Sequence, residues 1–325
     1  MKKILLVALL FSSYFSEAQI DPTFYGKPAD FSEFASRTLI VEVLVESPKI
    51  IEKYSKKDKW ADDLERYKSF ISSYNSMMKE AVKNYWKYNS KIEYKTSPEV
   101  KELNQQKNSA YIVLRYFELG DIEWDVMERS PLKVPALMLT RVEQDFGKPD
   151  YKIYFPSSYS RDNKKYMQCD YKFVLTAMQS HIQWIINNKL KYFNSYSEIA
   201  AEPNCQKLKN LTLLVESDYL YKSLSPDEVK AVYESKIEFV AAEEINKSFV
   251  SAEKGKAVLF MIPYGIARTN NIVTSGSMLT YFKIIVDCET GEILWIHNPG
   301  SLPIGENIKC DMIRDEFKRI NKCKI

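Results

Sequence analysis

Five cysteines, two histidines and a few adjacent acid pairs are the side chains of this chain with chemical reach. A cysteine nucleophile needs a thiolate and a basic partner, most often His. Cys169-Asp170 and Cys310-Asp311 stand at two expected helix starts, where the helix dipole favours a thiolate. The histidines do not complement them. His181 falls on the apolar face of an expected helix and His297 ends an expected strand, which are settings of structural histidines. The two are not spaced i, i+4, and there is no HExxH zinc motif. No Gly-x-Ser-x-Gly elbow, P-loop or GxGxxG is present either. Asp62-Asp63 and Glu243-Glu244 lie on polar helical stretches. Adjacent helical residues diverge by about 100°, so neither pair presents two acids side by side. The pattern names no catalytic set, no metal and no cofactor.

The elements that carry these residues come twice. Ser90-Lys91-Ile92-Glu93-Tyr94 is matched by Ser235-Lys236-Ile237-Glu238-Phe239. Downstream, Met138-Leu139-Thr140 is matched by Met278-Leu279-Thr280, and Cys169-Asp170 by Cys310-Asp311. The matches keep their order at offsets of about 140 to 145 positions, which predicts a tandem duplication. Each copy opens on a nearly continuous apolar run, Thr38 to Val45 and Leu211 to Glu216, suited to a central strand covered on both faces. Strands follow at Ile92 to Lys95 and Ile237 to Val240. Helices start at Ser97-Pro98-Glu99 and Ala241, and further strands at Ala110 to Phe117 and Ala257 to Ile262. A late hairpin and a final helix close each copy. In the second copy Gly291 supplies the positive φ of the hairpin turn; in the first, Gly147-Lys148-Pro149 marks it. The unit reads β-α-β-α-β-β-β-α, an α/β to α+β fold with a mixed sheet and helices packed on it, made twice. Expected bounds are 19–204 for the first copy and 205–325 for the second.

The first copy carries an insert at about 48–89. Within it Trp60, Leu64, Tyr67, Ile71, Tyr74, Met78, Ala81 and Tyr85 recur at steps of four and three, one apolar face of a long helix. Trp60, Tyr67, Tyr74 and Tyr85 form the candidate interaction face, toward another envelope protein or a second copy of this chain. Packing onto its own domain is the competing outcome, and the favoured one.

Residues 1–18 have the form of a leader. Lys2 and Lys3 precede the apolar run Ile4 to Phe11, which is too short to span a bilayer, and Ser16-Glu17-Ala18 resembles a cleavage site. No later stretch is long and apolar enough for a membrane helix. With 46 basic and 43 acidic residues, the chain has no electrostatic footprint for nucleic acid. The expected location is periplasmic or secreted, an oxidising setting in which cysteines pair.

Strand and helix rises predict which cysteines meet. Cys288 lies in the hairpin turn, and the strand after it leads away by about 20 Å at roughly 3.3 Å per residue. A last helix from Cys310 to Cys323 returns by about 20 Å at 1.5 Å per residue. This predicts a Cys288–Cys323 bridge. Cys169 is then expected to pair with Cys205, nearer in sequence, or with Cys310 across a pseudo-twofold axis.

The order of elements in each copy, with the Glu289-Thr290-Gly291-Glu292 turn, resembles the α/β domains of envelope proteins. Examples are the amino-terminal domain of the TolB translocation protein and the curli-secretion lipoproteins. The resemblance implies an envelope setting and carries over no functional residue. Two functions stay open: a non-catalytic exported binding or interaction protein, and a hydrolase-like enzyme with its site between the two copies. The missing nucleophile–base signature favours the first.

Overall fold

The computed structural model describes residues 28–56, 61–119, 134–144, 146, 149–156, 166–188, 193–221, 223–270, 275–297 and 311–323. The first half runs α1 (Pro28–Phe31), a 3-10 turn (Phe34–Ser36), β1 (Thr38–Val43), α2 (Pro48–Ser55), α3 (Ala61–Tyr85), β2 (Ile92–Thr96), α4 (Ser97–Gln106), β3 (Tyr111–Leu119), β4 (Val134–Arg141), β5 (Tyr151–Tyr154) and α5 (Gln168–Asn188). The second runs α6 (Phe193–Ala201), a 3-10 turn (Cys205–Asn210), β6 (Thr212–Glu216), α7 (Pro226–Lys230), β7 (Ile237–Val240), α8 (Ala242–Val250), β8 (Lys256–Asn270), β9 (Ser275–Asp287), β10 (Ile293–His297) and α9 (Arg314–Asn321).

Two mixed five-stranded sheets result, ordered β2-β1-β3-β4-β5 and β7-β6-β8-β9-β10. In each, the first strand pairs in parallel with the next two, and the last two pair antiparallel. The registers correspond residue by residue. Leu39 faces Ile92 and Ile112, and Leu213 faces Ile237 and Ala257. The α/β expectation holds, and Ile92 and Ile237 occupy like strands.

Two of the matched motifs are not equivalent in space. Met138 lies opposite Arg115 on β3. The corresponding partner on β8, Phe260, faces Ile284, while Met278 lies farther out on the hairpin, opposite Ala267. The β8–β9 ribbon runs on to the Asn270–Ser275 pair with a register shift between Pro263 and Gly265, well past the six-residue strand expected from the apolar run. Likewise Met167 N donates to Asp170 Oδ2 (2.8 Å) and Ile313 N to Glu316 Oε2 (2.9 Å). Asp170 therefore corresponds to Glu316 rather than to Asp311. Cys310 lies outside the described residues.

The turns follow their residues. Ser225 caps α7 with Pro226 and Glu228 in a reciprocal capping box, and Thr96 with Glu99 does the same for α4. Gly291 sits at φ 72, as the hairpin turn required. Gly147 and Lys148 lie outside the described residues.

α5 is the hinge of the architecture. It covers the first sheet, where Tyr171 meets Phe155 at 5.1 Å between ring centroids. Its other side meets the second sheet, where the Phe173 ring packs tilted against Phe260 at 4.8 Å between centroids. One apolar cluster thus runs through both halves, with a smaller one (Ile40, Val100, Val113, Val142) under α4.

Candidate functional site

Strand alternation decides which second-sheet side chains meet. On β9, Ile284 lies opposite Phe260, whose ring packs against Phe173 of α5 and Phe249 of α8. Its neighbour Lys283 therefore projects from the other face, the one α9 covers. His297 lies directly opposite Lys283 on β10. Glu316, from the first turn of α9, meets both. Lys283 Nζ donates to Glu316 Oε1 at 2.6 Å and also to the Asp311 carbonyl. His297 Nε2 stands 3.8 Å from the same carboxylate oxygen.

The cluster is sealed. Lys283, Glu316 and His297 side chains are 0%, 1% and 5% exposed. Burial raises the Glu316 carboxyl above its ordinary range, against the pull of the Lys283 ammonium. Burial, with the Arg319 and Lys283 charges, pushes His297 down to about 3. The imidazole is therefore neutral, stacked on Trp295 and without a hydrogen bond among the described residues. Such a group is a poor general base. The ion pair lies instead beneath a short helix whose buried apolar residues are Phe317 and Ile320.

The first sheet shows that the fold does not need these charges. Leu137 and Ile153 hold there the positions of Lys283 and His297. The clue in the sequence was Lys283 itself, an ammonium inside the apolar run Tyr281 to Val286. Glu316, in a polar helix, gave no such signal.

His181 is buried on α5, with its Nδ1 2.9 Å from the Tyr151 hydroxyl and its ring stacked on Tyr196. Burial pushes it down to about 3. This is the structural setting expected for it.

The cysteine pairing differs from expectation. Cys205 and Cys323 form the disulfide, with Cα atoms 5.7 Å apart, while Cys169 and Cys288 are buried outside it. Neither the Cys288–Cys323 nor the Cys169–Cys205 bridge is made. The correction has a topological cause. Leu220, just after β6, pairs with Met312 in a parallel bridge. So α9 starts beside the exit of β6 and runs back toward its entry, where Cys205 lies. Cys288 reaches the same end of the sheet. By alternation from Ile284, however, it faces α5 and α8, opposite α9. There burial and Asp287 push its thiol up to about 12, against the nearby Lys172 ammonium. Removing the bridge with Cys323→Ser should cost roughly 2–4 kcal/mol by freeing the unfolded chain. Urea unfolding of the variant measures it; an unchanged midpoint would show that α9 is held without the bond.

The expected interaction face turns inward. Tyr74 is 2% exposed, with Met78 at 1% and Ala81 at 0%. Its ring meets Tyr116 and Tyr171 at centroid distances of 5.1 and 6.2 Å. The Tyr67 hydroxyl accepts from Ser47 N (2.7 Å), and half-buried Tyr85 gives its carbonyl to Gln179 Nε2 (3.0 Å). Tyr74 and Tyr85 thus pack α3 onto β3 and α5, the favoured own-domain outcome, while Tyr67 ties α3 to the segment before α2. Asn75 also bonds both backbone groups of Leu44, at 2.9 Å each, sealing the end of β1. Trp60 lies outside the described residues.

An open cleft of about 240 Å³ lies beside the disulfide, between the Cys205–Asn210 turn, the Tyr233–Ser235 loop and α9. Leu208, Ile320 and the disulfide line it together with Asn321 and the exposed Lys209 and Glu234. Among the described residues no group of three or more His, Cys, Asp or Glu is placed to hold a metal ion, and no helix is long and apolar enough to cross a membrane.

No known protein family, curated protein or solved structure matches this chain.

Proposed function

We propose that this is an exported, non-catalytic binding or interaction protein of the bacterial cell envelope, built from two tandem copies of one α/β unit. The observation that carries the reading is the placement of accessible and inaccessible groups in the second half. The acid–base residues lie sealed beneath α9, whereas the open cleft next to the disulfide is lined by apolar and charged side chains. A structural disulfide fits an oxidising compartment, in line with the leader-like residues 1–18. The alternative, a hydrolase-like site between the copies, finds less support. The thiol at that interface, Cys288, is held protonated by burial, whereas a nucleophile needs the thiolate. The shared strand order and register of the two sheets favour duplication.

Expression of the full chain in a bacterium with an envelope tests the proposal. Mass spectrometry of the exported fraction should find a mature amino terminus after Ala18, a Cys205–Cys323 bridge and a co-purifying ligand or partner. Full-length, reduced protein confined to the cytoplasm would overturn it.

A further inference from the structure

The two halves supply an internal control for the cleft beside the disulfide. The 3-10 turns before β1 and β6 correspond by their hydrogen bonds. Arg37 N donates to Phe34 O and Leu211 N to Leu208 O, each at 3.2 Å. Thr38 and Thr212 then bond the carbonyls of Ala110 and Gly255 at 2.9 Å, and Leu39 and Leu213 those of Lys91 and Lys236, also at 2.9 Å. Leu208 therefore stands where the first half has Phe34, and Cys205 where it has Phe31. The matched Ser90–Lys91 and Ser235–Lys236 likewise align Tyr88 with Tyr233 and Asn89 with Glu234.

In the first half this region is closed. Phe31 and Phe34 are fully buried with ring centroids 4.8 Å apart. Asn89 is buried and donates to the Phe34 and Arg37 carbonyls at 2.6 and 2.9 Å, while accepting from Trp86 Nε1 at 2.9 Å. The Tyr88 hydroxyl donates to Phe31 O at 3.0 Å. Every large or polar group there has a partner.

In the second half each fastening is undone. Two phenylalanines become Leu208 and a half-cystine, and the recess opens. Asn89 is replaced by Glu234, which is exposed at the rim with no ion-pair partner among the described residues, as is Lys209. The Tyr233 hydroxyl is buried and no longer has an acceptor among the described residues. Burial pushes it up to about 12, so it keeps its proton for donation. The disulfide ties two walls of the recess together.

The geometry points to this cleft as a binding site for a small zwitterion with an apolar body, a free apolar amino acid or a short apolar peptide. The inference rests on the binding reading above and names its site. The ligand's apolar side chain lies on Leu208, Ile320 and the disulfide. Its carboxylate pairs with Lys209. Its ammonium pairs with Glu234. A recess lined by both charge signs discriminates against simple anions and cations.

Calorimetric titration of the oxidised full chain with leucine, phenylalanine and leucyl-leucine tests this. At least one should bind saturably, and uncharged N-acetyl-leucine amide at least tenfold more weakly. Leu208→Phe and Glu234→Asn each install the first half's residue and should weaken binding at least tenfold, with unchanged circular dichroism. Should Leu208→Phe misfold, Glu234→Asn, an exposed change, decides alone. Absence of saturable binding by all three ligands, or binding indifferent to the variant that folds, overturns the site. A different ligand found elsewhere on protein from the envelope would overturn the site and leave the binding function standing. Binding at the cleft by a protein shown to be cytoplasmic would overturn export alone.

Discussion

Acidification from pH 6 to pH 4 should remove roughly 5 kcal/mol of folding stability, enough to unfold a domain of ordinary stability. The cause is two buried neutral histidines. His181 and His297 are each held at about 3 by burial, with Arg319 and Lys283 adding to the effect on His297. Their unfolded values lie near 6.5. Between these limits the unfolded chain binds two protons that the folded chain refuses. Stability therefore falls as pH drops below about 6.5, by roughly 1.4 kcal/mol per pH unit for each histidine. Glu316 works in the opposite direction. Its raised carboxyl takes up a proton more readily in the folded state, so acidification relieves part of its burial cost. One such group offsets less than two histidines remove. Exposed carboxylates lowered by capping, Glu99 and Glu228, add to the acid loss. Urea unfolding at pH 7, 5 and 4 measures the slope. His297→Ile, which copies Ile153 of the first sheet, should remove about half of it. A stability that stays flat across that range would show that neither imidazole is held neutral by the fold.

Removing the Lys283 ammonium is the second large effect. Lys283→Met should destabilise the protein by about 3–5 kcal/mol at pH 7, because Glu316 is left as an uncompensated buried charge. The pair itself is worth far less than this loss, since two charges leave water to form it. The double variant Lys283→Met, Glu316→Met should thus recover most of the stability, falling short by about 1 kcal/mol for the lost bond to Ile313 N. The Lys283→Met defect should also shrink at low pH, as the lone carboxyl becomes protonated. Thermal unfolding of both variants at two pH values reads these effects. A double variant as unstable as the single would show that α9 depends on the ion pair rather than on Phe317, Ile320 and the disulfide.

The legible parts of the fold were those set by local pattern. The β-branched runs at Thr38 and Leu211 became parallel central strands because residues apolar on both sides need cover on both faces. The helix start expected at Ser97-Pro98-Glu99 formed because Pro98 has its φ preset and Glu99 closes a capping box, although the capping side chain is Thr96 and not Ser97. The period of Leu64 to Tyr85 gave a helix with one apolar face. The Ser90 and Ser235 segments corresponded because each leads directly into a strand of fixed register.

What failed depended on position in space. The Met-Leu-Thr and Cys-Asp matches were resemblances of letters, and strand register set the true correspondences elsewhere. Amphipathic spacing alone did not decide whether Tyr74 faces a partner or Tyr171, because it defines a buried face without naming what buries it. The end of the sheet reached by Cys288 and Cys323 was correctly derived from strand and helix rise, but rise carries no information about faces. The Leu220–Met312 bridge sets α9 on the face opposite Cys288, and from there its end meets Cys205. The candidate cleft was less legible still. Leu208, Tyr233 and Ile320 are unremarkable residues far apart in the chain. Sequence by itself determined most of the strands and helices and the likeness of the Ser90 and Ser235 segments, since these arise from short-range periodicity. The ion pair, the disulfide and the cleft were decided by tertiary structure, because each requires distant segments to meet on one particular face of the second sheet.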